Sequence, residues 1–344
     1  MKAATPVQSG RMGSVTLDDV AAAAGVSRST ASRAINGGTK VSPAAQAAVD
    51  DAVTRLGYAP NPAARSLVTR RTGSIALVLP EPDARILSDP FLAGLLRGVS
   101  DGLSGTDLQL VLLLARRGEA PGRTARYLRN GHVDGAIVAS HHADDQLEDQ
   151  LADGRLPAVF IGRPFTDCGL HYVDTDNEAG GVLAARRLLD RGCRRLGTIT
   201  GPMDMPASVD RLEGWRRTVT GAGLPAGAIG HGDFTVDGGA RATAELLDRE
   251  PDLDGLFVAS DLMAIGAMQV LAARGRRVPE DVAVVGYDAL GAAGRTAPRL
   301  TTVYNPLVEM VAAATQTLLT VLAGERPPTE PQVLAPELVE GGTA

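Results

Sequence analysis

Apolar and polar positions follow two rhythms along this chain. Between Val15 and Gly57 the apolar residues are mostly small and come in short clusters separated by turn-forming residues. Thr16 can cap a first helix, and Asp19, three residues on, completes a capping-box pair at the positive end of the helix dipole. The run Val20 to Ala24 stops at Gly25, a residue that takes positive φ without strain. Ser27 then caps a second segment, Arg28 to Asn36, with Val26, Ala31 and Ile35 turned inward and Arg28, Ser29, Ser32, Arg33 and Asn36 outward. A third helix has Ser42 as cap, Pro43 in its first turn and Gly57 at its close, with Ala47, Val49, Val53 and Leu56 available to cover the other two. Two short helices joined by a glycine turn, the second with a polar outer face, make a helix-turn-helix pattern.

From Ser74 the rhythm changes. Apolar runs at 74–80, 108–115, 134–140 and 157–162 read as buried parallel strands, separated by amphipathic segments at 90–103, 122–131 and 144–154. A second series puts strands at 194–200, 253–260 and 281–288 among helices at 177–192, 208–223, 238–250 and 261–275. Two alternating series predict an α/β core of two doubly wound parallel sheets, whose ligands bind beyond the carboxyl ends of the strands.

Charge sharpens this division. The chain carries a net charge of −6, yet residues 1–73 hold nine basic against four acidic side chains, a local excess of +5. A basic head on an acidic body is the footprint of a nucleic-acid binder. Lys2 and Lys40 are the lysines of the chain; the rest of the basic residues are arginine, so the body offers no lysine for a phosphate loop or a Schiff base. Residues 1–14 lack an apolar secretory core and read as a disordered leader, and no later stretch is long and charge-free enough to span a membrane, so a cytoplasmic protein is expected, nucleoid-associated when on DNA. Cys168 and Cys193 are isolated and are assigned neither disulfide nor metal. His141 and His142, with Asp144 and Asp145, superficially suggest a metal site, but adjacent histidines point different ways and the stretch reads as a polar loop. No catalytic motif stands in the right strand–helix context, and no metal, cofactor or enzymatic activity is expected.

On the outer face of the second helix, Arg28 and Arg33 can each offer two donors to a guanine edge, and Ser29 and Asn36 can bond bases or phosphates. Thr30 and Ser32 suit phosphate oxygens, which fix register without reading sequence. The segments TLDDVAAAAGVSRSTASRAIN, KVS and LGYAPNPAARSLVTRRTGSIALVLP resemble the N-terminal signature of the LacI/GalR family of bacterial transcription repressors. The resemblance implies base reading by Arg28 and Ser29, and further contacts from Thr16, Thr30, Ser32, Arg33, Asn36 and Lys40. It also implies a hinge from Asn61 to Thr69 that becomes helical on operator DNA, with Leu67 wedged into the minor groove beside its small partner Ala64. An apolar wedge kinks DNA while Arg65, Arg70 and Arg71 meet phosphates, so the chemistry agrees. Pro62 departs from the pattern but is tolerable in a first turn.

RRLGTIT-GP, ASVDRLEGW, ASDLMAIGAMQVLAARGRRVPEDVAVVGYD and the LTTV run extend the resemblance into a core built like periplasmic sugar-binding proteins. The implied organisation is a helix-turn-helix domain at 15–60, a hinge at 61–72, and a core at 73–340. Its N-terminal subdomain takes 73–173 plus 304–323 and its C-terminal one 174–303 plus 328–340, with 331–339 returning as a strand to the latter. Within the cleft, Arg211 and Asp288 match the family's effector-gripping arginine and carboxylate. Asp89, Phe91, Ser140, Arg163 and Asp261 follow strands or open helices and are candidate lining groups, Arg163 taking a burden that Gly162 cannot, although Asp261 could equally cap its helix. Trp215 reads as core. The expected function is a homodimeric repressor on near-palindromic DNA, controlled by a sugar; a nucleobase effector, an activator, a plain solute-binding protein and a sugar-processing enzyme are the alternatives. The chain ends at EGGTA with no heptad tail, so a dimer and no tetramer is expected.

Overall fold

The computed structural model describes residues 15–36, 40–59, 71–114, 122–166 and 169–344. The leader 1–14 and the hinge residues Asn61, Ala64, Arg65, Leu67 and Arg70 lie outside them, as does Cys168. The chain divides into two compact units, Met1–Thr72 and Gly73–Ala344.

The first unit contains α1 (Leu17–Ala24), α2 (Arg28–Ile35) and α3 (Pro43–Leu56). Thr16 and Asp19 form a reciprocal capping box on α1, and Ser27 and Ser42 accept from the backbone at the starts of α2 and α3. Gly25 ends α1 at φ 67°, the left-handed value that the turn requires. Val20, Ala21, Ala31, Ala34, Val49 and Ala52 form the small core, with Val26, Ile35, Val53 and Leu56 packed around it. Ala34 and Ala52 thus complete the core, whereas Ala47, expected to cover the other helices, is exposed because it falls on the outer face of α3.

The second unit is two six-stranded sheets with the same winding. The first contains β1 (Ser74–Leu79), β2 (Gln109–Leu114), β3 (Gly135–Ala139), β4 (Ala158–Ile161) and β5 (His171–Thr175), in the order β2-β1-β3-β4-β5. The second contains β6 (Leu196–Thr200), β7 (Ile229–His231), β8 (Gly255–Val258), β9 (Ala283–Asp288) and β10 (Thr301–Tyr304), in the order β7-β6-β8-β9-β10. Each sheet is completed by one short strand from the end of the chain. β11 (Gln332–Leu334) pairs parallel with β5, and β12 (Glu337–Val339) pairs antiparallel with β10. The segment expected to return wholly to the C-terminal subdomain is therefore divided: 332–334 extends the first sheet, and the chain crosses only afterwards. An unpaired edge at β5 accounts for the stop, since its backbone groups would otherwise lack partners.

Helices cover both faces. A six-residue helix, α4 (Asp83–Ser88), follows β1. In the first sheet Ile75, Leu77 and Leu79 point to one side, against α5 (Pro90–Gly102) and α12 (Leu307–Leu322). Ala76 and Val78 point to the other side, against α6 (Arg123–Arg129) and α7 (Leu147–Leu151). This is the period-2 alternation of a strand buried on both faces. The second sheet is flanked by α8 (Asn177–Asp190), α9 (Pro206–Gly221), α10 (Val236–Arg249) and α11 (Asp261–Ala273) around a core that includes Trp215, Phe257 and Tyr287. The helix expected at 144–154 is shorter: a 3-10 turn, Ala143–Asp145, precedes α7.

The backbone passes between the two sheets three times, from β5 to α8, from β10 to α12, and from β11 to β12. The first and third passages are tied together, because Asp176 N and Thr175 Oγ1 both donate to Leu334 O, at 2.8 and 3.2 Å.

Candidate functional site

In the first unit, the outer face of α2 presents Arg28, Ser29, Arg33 and Asn36 as exposed side chains, with Thr30 and Ser32 half-buried beside them. The helix itself orders several of these groups. Arg33 Nε donates to Ser29 O at 3.0 Å and Asn36 Nδ2 to Ser32 O at 2.8 Å, while Arg28 forms an exposed ion pair with Asp18 of α1 at 3.3 Å. Thr16 is held in its capping box, and Lys40 is exposed. The result is a polar, cationic strip on a rigid helix, the shape and chemistry that a major groove accepts.

In the second unit, the carboxyl ends of the two sheets face a shared cavity. Asp89, Phe91, Ser140 and Arg163 line it from the first sheet; Arg211, Phe234 and Asp288 line it from the second. Four of the residues that follow these strands hold left-handed backbone conformations despite having side chains: Ser140 at φ 55°, Phe234 at 62°, Asp288 at 116° and Ala289 at 54°. Such strain persists where surrounding structure enforces it, and it concentrates at binding sites.

On the second wall the organising group is Arg211, which is 5% exposed. Its Nε donates to Asn177 Oδ1 at 2.9 Å and its Nη1 to Ala259 O at 2.7 Å, and its guanidinium lies 3.6 Å from the centre of the Tyr287 ring. Asn177 is fixed in turn by donating to Asp174 Oδ1 at 3.1 Å. Helices α8 and α9 pack close enough that a Cβ on Gly181 would collide with the carbonyl of Arg211 itself, so this glycine sets the depth of the arginine. Asp288 Oδ1 stands 4.0 Å from Arg211 Nη1. Burial pushes the Asp288 carboxyl up to about 8, against the pull of Arg211. An arginine fork and a carboxyl thus stand together at the cleft, a donor and an acceptor for the hydroxyl groups of a polyhydroxylated molecule.

The first wall is more self-contained. Glu81, just after β1, receives Ser140 Oγ at 2.5 Å, the Arg85 guanidinium and His142 Nε2 at 3.3 Å. Burial works against its charge, but His142, Arg85 and Ser140 outweigh it and hold the carboxyl below its ordinary range. Asp89 caps α5 by accepting from Phe91 N at 2.9 Å and pairs with Arg85 at 3.4 Å; burial nevertheless raises it.

Among the described residues, four pairs reach from this wall to the other. His142 Nδ1 lies 3.1 Å from Asp204 Oδ1, and Ala143 N donates to Asp204 O at 2.9 Å. Arg163 grips Asp210 of α9 with two hydrogen bonds of 2.7 and 2.6 Å. The Arg85 guanidinium sits 5.1 Å from the centre of the Phe234 ring. Both ring nitrogens of His142 thus face carboxylates. Burial alone would lower its pKa, but Glu81 and Asp204 prevail and raise it.

Two sequence expectations are corrected here. Asp261 does not line the cavity and is not the cap of α11: Ser260 caps that helix, and the Asp261 carboxylate is turned toward Thr302 and Ala289. His141 and His142 are not part of a solvated loop but are 3% and 4% exposed, drawn inward by Glu148 and Glu81. Arg163 does line the cavity, though its fork is committed to Asp210. Trp215 is fully buried, and burial lifts the Cys193 thiol to about 11, which leaves it unreactive. Glu81, Arg85, His142, Asn177 and Phe234 were not anticipated. For Phe234 a signal existed, an aromatic after a short strand in the position where ligands bind, but β7 has three residues and no apolar run to mark it. Among the described residues no group of His, Cys, Asp and Glu has the arrangement of a metal site, and no helix is long and apolar enough to cross a membrane.

Comparison with known proteins bears on both units. Residues 16–61 match the model described as bacterial regulatory proteins, lacI family, and residues 185–344 match a periplasmic binding protein-like domain. The HTH-type transcriptional regulator CelR of Thermobifida fusca is 47% identical over 320 residues, which cover 92% of this chain and 94% of that regulator. A solved complex of transcriptional regulator CelR with cellobiose superposes with a TM-score of 0.76 at 43% identity, covering 96% of this chain and 100% of that one. The lac repressor dimer bound to operator and the anti-inducer ONPF superposes with a TM-score of 0.82 at 25% identity, covering 96% and 99%.

Proposed function

The chain belongs to the LacI family of bacterial regulatory proteins, as a DNA-binding transcriptional regulator rather than an enzyme, and from that premise we propose that it is a homodimeric repressor released from its operator by a glucose disaccharide of the cellobiose type. The observation that carries the effector assignment is the cleft itself. Arg211 and Asp288 present a donor fork and an acceptor to hydroxyl groups, and the Phe91 and Phe234 rings offer apolar faces for the C–H surfaces of sugar rings. The likeness to CelR, whose solved complex contains cellobiose, supports that choice.

For the DNA side, Arg28, Ser29, Arg33 and Asn36 read base edges in each half-site, and Thr16, Thr30, Ser32 and Lys40 hold phosphates. One head makes too few contacts for selectivity; two on a dyad read a near-palindrome, with specific Kd values typically on the order of 10⁻⁸–10⁻¹¹ M. Asn61, Ala64 and Leu67 belong to the segment proposed to become helical on DNA and to wedge the central step. Sugar in the cleft changes the closure of the core and hence the chance that two heads sit together on one duplex.

The test is to select a duplex from random sequences with the purified chain, then titrate cellobiose while following binding by fluorescence anisotropy. Coupling between sites of ~1–3 kcal/mol predicts a loss of operator affinity of about 5–150-fold. A selected site without two-fold symmetry would sink the dimer. Affinity unmoved by cellobiose would sink the effector assignment, and affinity raised by it would replace induction with corepression.

A further inference from the structure

Asp261 is a buried acid with no place in the cleft as described. Its neighbours Ser260 and Leu262 line the cavity, but its own side chain packs against the end of β9 at Gly286 and is 2% exposed. One oxygen accepts from Thr302 Oγ1 at 2.6 Å and the other from Ala289 N at 3.0 Å. Gly286 makes room for it: a Cβ there would stand 2.5 Å from Asp261 Oδ1.

Ala289 follows Asp288, and the two form a pair of consecutive left-handed residues, neither of them glycine. L-residues hold such a conformation only under constraint. Two constraints flank the pair. Asp261 holds the backbone N–H of Ala289, and Asn305, on the passage from β10 to α12, donates its backbone N–H to Asp288 O at 3.2 Å. With the turn fixed at both ends, the Asp288 side chain projects toward Arg211. An extended backbone at 288–289 would carry that carboxyl away from the arginine.

We propose that Asp261 is a positioning residue for the effector: it never touches the sugar, but by clamping the Asp288–Ala289 turn it sets where the acceptor of the cleft stands. The proposal rests on the cleft being the effector site. It makes the second wall a three-layer device, in which Thr302 fixes Asp261, Asp261 fixes the turn, and the turn fixes Asp288. Burial is the main cause that raises the Asp288 carboxyl, against Arg211, and the neighbouring Asp261 and Asp89 carboxylates add to it.

The experiment uses the full chain with cellobiose as the probe. Calorimetric titrations compare wild type, Asp261→Ala, Asp261→Asn, Asp288→Ala and the double variant Asp261→Ala/Asp288→Ala, while hydrogen exchange follows the Ala289 amide without sugar. Losing a buried hydrogen bond of this kind predicts about tenfold weaker cellobiose binding for Asp261→Ala. Asn can still accept from Ala289 and turn its amide toward the Thr302 hydroxyl, so Asp261→Asn restores affinity to within about threefold. Without Asp288 there is nothing left to position, so Asp261→Ala costs nothing more in that background. Exchange at Ala289 quickens in Asp261→Ala and not in Asp261→Asn. A merely structural role would lower Tm yet leave the affinities of folded Asp261→Ala and wild type equal, and that result overturns the proposal, as do fully additive losses or unchanged exchange at Ala289. Should Asp261→Ala fail to fold, Asp261→Ser, polar but too short to reach Ala289, takes its place. A wild-type chain that does not bind cellobiose overturns the effector assignment instead, and exchange at Ala289 then decides by itself whether Asp261 holds the turn.

Discussion

After the strands of the first sheet, the polar residues mostly bind one another: Glu81 gathers Arg85, Ser140 and His142, and Arg85 also holds Asp89. After the strands of the second sheet, the polar residues are held from behind and left open in front, with Arg211 backed by Asn177 and Ala259 and Asp288 backed by a clamped turn. The two sheets share one winding and one strand order, so the difference lies in the side chains that follow the strands. It teaches a division of labour: one wall carries the fastenings that reach across the cleft, and the other turns its polar groups toward the cleft, where the proposed effector would meet them. In a fold used this way, an ion pair at the strand ends is evidence about closure as often as about binding.

That contrast can be broken most severely at Arg211. Removing it leaves Asn177 Oδ1, the Ala259 carbonyl and Asp288 without their shared donor in a buried site, a change expected to destabilise the core by about 3 kcal/mol. Arg211→Ala should lower Tm and weaken cellobiose binding about a hundredfold by calorimetry. Binding within a few-fold of wild type would mean that the second wall is not the gripping one.

The next effect is on pH dependence, and it assigns a different residue to each wall. His142 has its pKa raised above 6.5 by Glu81 and Asp204, so its contribution is complete below that value and is lost as pH rises through the raised one. Asp288 ionises at 3.8 when free but at about 8 in place, so between those values the unfolded chain has already released a proton that the folded chain keeps. Stability falls across that window. Both effects run the same way, and Tm of the sugar-free chain should drop from pH 6 to pH 8. Asp288→Asn should make the profile shallower across the window, the remaining slope coming from His142 and from Asp261 and Asp145, which burial raises to about 7 and about 6. His142→Gln should make it shallower only above about pH 6.5, where the histidine ordinarily loses its proton. Identical flattening by both variants would erase the distinction between the walls.

The smallest effect belongs to the Arg163–Asp210 fastening. Both side chains are about a quarter to a third exposed, at 34% and 23%, so solvent screens the pair and ~1 kcal/mol or less is at stake. A double-mutant cycle with Arg163→Ala and Asp210→Ala, read as Tm with and without cellobiose, should give a coupling of that size, and a coupling unchanged by sugar would show that closure does not act through this pair.

How much of this could be read from the chain depended on whether a residue acts within a short segment or between distant ones. Thr16 with Asp19, Gly25 and Ser27 announce the head because capping and turn chemistry are local. Arg211 and Asp288 sit in recognisable segments beside strong apolar runs. Glu81 was silent because its partners Ser140 and His142 are 59 and 61 residues away, and Arg163 looked like a ligand group because Asp210, 47 residues on, had no visible connection to it. Asp261 was misassigned for a related reason: the first turn of a helix after a strand suits a cleft residue, and nothing in the sequence shows that Gly286 has vacated the space beneath it.

The threefold passage of the backbone between the sheets has a mechanical consequence. Two bodies joined by a single tether can swivel, and by two can still twist; a third tether, with Leu334 lashed to Thr175 and Asp176, leaves little besides bending about one spine, as the covers of a book do. On the proposed function, whatever lodges between the covers acts through one quantity, their opening angle. Sugars of different shape that prop the covers equally far apart would be indistinguishable downstream, so this sensor's discrimination has to be completed inside the cleft, before any movement is passed on.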